Sequence, residues 1–108
     1  MKLNVHERMI LIPLLPEQES YAGMGEITSL KLILQLTGDE ATELVTLHEN
    51  GQQELDNVAA AAHVVEIPVS GWMTKVIRDI LSKMNDHKKI RENQLSLYEK
   101  FCLDYDKR

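Results

Sequence analysis

The feature that most constrains the fold is an apolar stripe between residues 72 and 84. Ser70 is a favourable helix N-cap, and the residues after it place apolar side chains on one face of a helix. An aromatic residue in register with such a stripe usually packs against other apolar residues, so we predict that Trp72 lies in the core or at its edge rather than stacking on a ligand. The stripe consists of Trp72, Met73, Val76, Ile77, Ile80, Leu81 and Met84.

Three helices are predicted before this stripe, and the first begins at Asn4. Asn4 and Glu7 have the spacing of a capping box, and proline at position 13 removes a backbone donor, so the helix should end or kink near Ile12. Val5, Met9 and Ile12 are expected to form its apolar face.

Residues 17 to 26 are polar and contain glycine, which predicts a surface loop. Residues 26 to 36 form the second predicted helix, which is apolar around most of its circumference. Such a helix is expected to be central and well buried, and to be the main packing partner of the 72–84 stripe. A short third helix follows, with Thr37 and Glu40 in capping-box spacing.

Asn50-Gly51 predicts a two-residue β-hairpin turn, because both residues accept positive φ. The flanking strands are expected near residues 44–49 and 52–56, and residues 63–69 are a third strand candidate. Residues 57–62 are compatible with a helical turn or with an excursion of the sheet.

The last helix is predicted over residues 92 to 103, with residues 104 to 108 fraying at the end. Its docking face is expected to contain Leu95, Tyr98 and Cys102, with Phe101 beside them. The elements together predict one domain, residues 1–108, of the helix-rich α+β class: three N-terminal helices, a small antiparallel sheet and two C-terminal helices.

The same order of elements matches winged-helix domains, whose third helix enters the DNA major groove. Here that helix would present carboxylates to phosphates, so direct nucleic-acid binding is not expected. The charge distribution agrees: residues 1 to 72 contain 11 acids and 3 bases, whereas residues 73 to 108 contain 6 acids and 9 bases. The acidic part favours a partner with a basic surface.

Composition excludes several settings. No apolar run approaches the roughly 20 residues that a bilayer crossing requires, and the N-terminal apolar run lacks the pattern of a signal peptide. The single cysteine, Cys102, cannot form an internal disulfide, so we expect a reducing compartment, the cytoplasm.

Three segments carry a resemblance, namely "MKLNVHERMILIPLLP", "LHENGQQ" and "KKIRENQLSLYEKF". Taken together they resemble small uncharacterised proteins encoded in bacteriophage and prophage genomes. This resemblance implies a bacterial cell under phage or prophage control as the setting, and it implies no site residues.

No catalytic, cofactor or metal site is predicted. The four histidines are far apart in sequence, although His48 and His63 could meet across adjacent strands, and Cys102 lies on an apolar helix face that favours a buried, inert thiol. The sequence contains neither a GxGxxG nor a Walker pattern. Carboxylates in the first turn of the third helix are explained by capping and by the helix dipole.

The leading hypothesis is therefore a small non-enzymatic binding or regulatory protein of phage type, with no small-molecule substrate. It would contact a host or phage protein through an acidic surface. The alternative is a self-associating structural or virion-assembly protein, in which the acidic part of one copy meets the basic part of the next. The predicted contact surface consists of Asp39, Glu40, Glu43 and Glu49.

Overall fold

The computed structural model describes residues 1–103 and is a helix-rich α+β structure. The predicted fold class and the order of three helices, a hairpin and C-terminal helices are confirmed. A 3₁₀ turn, Glu92–Gln94, precedes the last α-helix, and a π-helical turn, Glu99–Leu103, follows it. The elements are β1 Lys2–Asn4, α1 Val5–Leu14, α2 Tyr21–Leu34, α3 Gly38–Leu44, β2 Val45–Leu47, β3 Gln53–Leu55, α4 Asn57–Ala62, β4 Val64–Glu66, α5 Gly71–Asp86 and α6 Leu95–Tyr98. The predicted fraying of residues 104 to 108 lies outside the described residues.

The strands form two separate antiparallel pairs. The third predicted strand is present as β4, but it pairs with the N-terminal strand β1, in which Leu3 lies opposite Val65. No strand was predicted at the N-terminus, because three residues are too few to show a period-2 pattern. This pairing brings the first and the middle parts of the chain together, with Leu3 fully buried between them.

The hairpin of β2 and β3 is closed by a three-residue loop rather than by the two-residue turn that was predicted. The Gly51 amide donates to the His48 carbonyl, and the His48 amide donates to the Gln52 carbonyl. Gly51 alone of the loop residues has positive φ, +84°. This is a turn followed by a glycine bulge, so only one of the two positions needs the left-handed region.

Helix α2 begins earlier than predicted, at Tyr21, and replaces most of the expected loop. The Ser20 side chain accepts a hydrogen bond from the Gly23 amide and caps the helix. A Cβ at Gly23 would lie against the Glu19 side chain and 3.0 Å from the ring of Trp72, so glycine allows this close contact between α2 and α5. The two glycines that indicated a loop are thus helical, and one of them admits a tryptophan.

The main core lies between α1, α2, α5 and the C-terminal helical segment, residues 92–103. Helix α5 contributes the spaced residues Met73, Ile77 and Leu81, each of which is at least 98% buried. Its closest packing is against the C-terminal segment, so the prediction that α2 is its main partner is wrong, although Ile27 of α2 belongs to the same core. A smaller core joins Val5, Leu44 and Ala60.

Trp72 is 38% exposed and lies at the edge of this core, which is one of the two positions predicted for it. Trp72 is the first residue of the stripe, one position after the helix begins, and points over Gly23 at the start of α2. The buried line of the stripe is instead the i, i+4, i+8 set that starts at Met73.

The buried face of the last helix also differs from the prediction. Leu97 and Phe101 are fully buried and Cys102 nearly so, whereas Leu95 is half exposed. The π-helical turn changes the residue spacing, so both Phe101 and Cys102 face inward. A regular 3.6-residue period could not predict that register.

Residues 57–62, which the sequence left open, form α4. Asp56 caps the helix by accepting from the Ala59 amide, and Ala60 is fully buried. Within residues 1–103, no helix is long and apolar enough to span a bilayer.

We predict that Ile77→Ala destabilises the protein by about 2–5 kcal/mol, because it leaves a cavity at a fully packed position. Lys75→Ala, on the exposed face of the same helix, should change stability by no more than about 0.5 kcal/mol. Chemical denaturation of both variants measures the difference. Equal losses would show that α5 does not bury this face.

Candidate functional site

A buried arginine lies at the junction of α1, α2 and α3. Arg8 is 2% exposed, and its guanidinium donates to both carboxylate oxygens of Glu40, at 2.6 and 2.9 Å. It also donates to the carbonyls of Leu34 and Gln35 at the end of α2, at 3.1 and 2.8 Å. These four bonds use four of the five N–H donors of the guanidinium and give each of its nitrogens an acceptor.

The inward position of Arg8 corrects the predicted face of α1. Val5, Arg8 and Leu11 are buried, whereas Met9 is about half exposed. An arginine at the i+3 position between two apolar residues gave no signal in the sequence that it would face the core. Its burial depends on partners from other helices, which are distant in sequence.

Glu40 is the acceptor that makes this burial possible. It completes the predicted capping box of α3: its side chain accepts from the Thr37 amide and its own amide donates to Thr37 Oγ1. The Thr37 amide donates to Oε1 of this carboxylate, and His63 Nε2 lies 2.7 Å from the other oxygen, Oε2. The hydrogen bond from Arg8 holds the pKa of Glu40 well below its ordinary value, and this effect outweighs burial, which raises it.

A second buried carboxylate lies one residue before Arg8. Glu7 is 2% exposed and forms the predicted capping box with Asn4. Its Oε1 also accepts from Lys100 Nζ at 2.7 Å, and that ammonium donates to the Lys2 carbonyl. The contact ties the C-terminal helical segment to the start of α1. Glu7 Oε2 is buried without a hydrogen-bond partner among the described residues.

The predicted acidic surface is divided by the fold. Asp39 and Glu43 are exposed on α3, and Glu49 is exposed in the hairpin loop. Glu40, which was predicted to belong to this surface, is 9% exposed and engaged by Arg8 and His63. Glu40 therefore serves the interior of the protein, and the surface that a partner can reach comprises the other three carboxylates.

The histidines do not converge. His48 contacts Glu54 across the hairpin at 2.8 Å, whereas His63 contacts Glu40. The two rings, which could have met across adjacent strands, therefore contact different carboxylates. Within residues 1–103, no three His, Cys, Asp or Glu side chains are grouped to hold a metal ion. The Cys102 thiol is buried, as predicted.

Removing the buried arginine should be costly. Arg8→Met leaves Glu40 as a buried carboxylate without its main partner, and we expect a loss of about 3–5 kcal/mol. Arg8→Met combined with Glu40→Met should lose much less than the sum of the two single variants, because neither charge is then left unpaired. Denaturation of all four proteins gives the coupling energy, and Glu43→Met on the exposed face is the control.

Stability should fall with acid through Glu40. Because its folded pKa lies below its ordinary value of 4.5, the unfolded chain binds the proton first, and the stabilisation present above pH 4.5 is lost as pH falls towards the folded pKa. Glu40→Gln should flatten the dependence of unfolding free energy on pH below 4.5. An unchanged slope in that variant would assign the acid sensitivity to other carboxylates.

Comparison with known proteins adds no relative. No protein-family model matches the chain, and neither a curated protein nor a solved structure matches it.

Proposed function

We propose that the protein is a non-enzymatic binding protein that contacts a basic surface of another protein through α3 and the β2–β3 hairpin. The observation that carries this proposal is the charge left at the surface. Of the 11 acids in residues 1 to 72, only Glu7 and Glu40 are buried. Of the 3 bases in the same residues, Arg8 is buried against Glu40. The exposed carboxylates therefore have few neutralising cations on this part of the chain.

Asp39, Glu43 and Glu49 are the residues of this surface that we assign to the contact. Charges of one sign on a protein surface accelerate association with an oppositely charged partner and disfavour like-charged partners. The same charges repel nucleic-acid phosphates, so the proposal excludes a DNA role for α3. On the basis of the resemblance given above, we expect a host or phage protein as the partner, met in the bacterial cytoplasm.

The test is affinity capture from a bacterial lysate with the protein and with a variant that carries Asp39→Lys and Glu43→Lys. A specific partner should be retained at low salt, weakened at high salt and lost in the variant, because the attraction is electrostatic. Asp79→Lys, an exposed charge reversal on α5, is the control. Retention of the same protein by the α3 variant would contradict the assignment of this surface.

Self-association is the second candidate function, and one observation favours it. The segment after α5 exposes Lys88, Lys89 and Arg91, which are complementary in charge to the α3 surface of another copy. A head-to-tail contact of this kind propagates into longer assemblies rather than closing as a dimer. Light scattering at rising protein concentration and low salt separates the two functions, since a strict monomer contradicts self-association.

A further inference from the structure

The start of α5 and one side of α2 enclose an open groove of about 490 Å³. On the α2 side the wall is low, because Ala22, Gly25 and Ser29 have small side chains. Pro68 and Met73 form the opposite wall. The groove follows α2 from Ala22 to Ile33, a length of about 17 Å at 1.5 Å per residue, which corresponds to three turns of a second helix.

The exposed side of α2 beside this groove is more apolar than a solvated helix face. Leu32 is 66% exposed and Ile33 43%, and Tyr21 is almost fully exposed at the first turn. Trp72 lies at the same end as Tyr21, over Gly23. Tyr21 and Trp72 thus lie at one end of α2 and Leu32 and Ile33 at the other, and aromatic residues are enriched among those that contribute most to binding.

The charge around the groove selects the occupant. Glu26 is exposed and lines the groove, and Glu19 contacts the Gly23 position beside Trp72. Lys31 is the one basic residue of α2, and it is half buried. A helix that fills the groove with apolar side chains would therefore be stabilised by basic side chains along its flanks.

A second copy of this chain is a poorer occupant. In a two-fold arrangement the same patch faces itself, so α2 would meet α2 of the other copy. Glu26 of each copy would then lie in one interface with no basic residue of the exposed α2 face to neutralise it. Like charges brought together in this way are destabilising.

We propose that the groove between α2 and the start of α5 binds a basic amphipathic helix of a partner protein. The apolar side of that helix, with side chains at i, i+4, i+7 and i+11, lies against Ile33 and Pro68, and its lysines or arginines approach Glu26. This surface is separate from Asp39, Glu43 and Glu49, so it does not depend on the function proposed for α3.

A synthetic helical peptide tests the proposal. The probe has about 15 residues, with leucine at i, i+4, i+7 and i+11, lysine on the flanks and no tryptophan. Isothermal titration calorimetry measures binding, and the fluorescence of Trp72, the only tryptophan of the chain, reports changes beside Gly23 at one end of α2. We expect saturable binding of this peptide. Binding should be at least about tenfold weaker for a control peptide with glutamate in place of lysine. It should be weakened by a similar factor for a second control peptide that has the same composition but scattered leucines.

Two matched pairs of variants locate the site. Gly25→Gln places a side chain in the groove without a clash, since no atom lies within 4 Å of a Cβ at that position, and it should weaken binding by about tenfold or more. Thr28→Gln, exposed on the same helix but outside the groove, should not. Glu26→Lys should weaken binding similarly, whereas Asp79→Lys should leave it unchanged. Far-UV circular dichroism checks that each variant is folded.

Several results would overturn the proposal. The first is no binding of the lysine peptide up to about 1 mM, a concentration that corresponds to a binding free energy of only about 4 kcal/mol. The second is equal binding of either control peptide. The third is unchanged binding of the lysine peptide to folded Gly25→Gln. Sedimentation that shows a dimer dissociated by Gly25→Gln would assign the groove to a second copy. The α3 variant with Asp39→Lys and Glu43→Lys should bind the peptide normally, so failure of either proposal is distinguishable from failure of the other.

Discussion

The Arg8 guanidinium joins α1 to both sides of the turn between α2 and α3. The last carbonyls of a helix have no intrahelical partner, and Arg8 donates to those of Leu34 and Gln35. Its positive charge lies at the negative end of α2, and the Glu40 carboxylate lies in the first turn of α3, at the positive end. Both helix dipoles therefore stabilise the same ion pair, which offsets the cost of removing two charges from water.

Burial of this ion pair leaves the net charge of the surface unchanged. Because Arg8 and Glu40 neutralise each other inside the protein, the exterior of the first 72 residues keeps its excess of carboxylates. His63 extends the network to the residue before β4, the strand that pairs with the N-terminus. The same contacts thus fix the path of the chain through the middle of the fold and leave Asp39 and Glu43 free on α3.

Sequence could predict the parts of the fold that depend on contacts between residues only a few positions apart. The capping residues Asn4, Thr37 and Ser70 were identified correctly, because each cap bonds to an amide three residues away. Glu40 shows the limit of that reasoning: its capping role is local and was predicted, but its burial depends on Arg8, 32 residues earlier. For Trp72 the sequence predicted the core or its edge, and the choice between the two depends on packing against Gly23, which is distant in sequence.

Helix α2 shows how a correct pattern can predict the wrong environment. Its apolar residues surround most of the helix, which indicated burial on all sides, yet the fold covers only the side that carries Ile27, Leu30 and Leu34. Much of the surface of a folded protein is apolar, so hydrophobic patterning alone does not distinguish a helix face packed in the core from one left at the surface. The uncovered Leu32 and Ile33 lie at the end of α2 that borders the groove, where the partner helix proposed above would bury them.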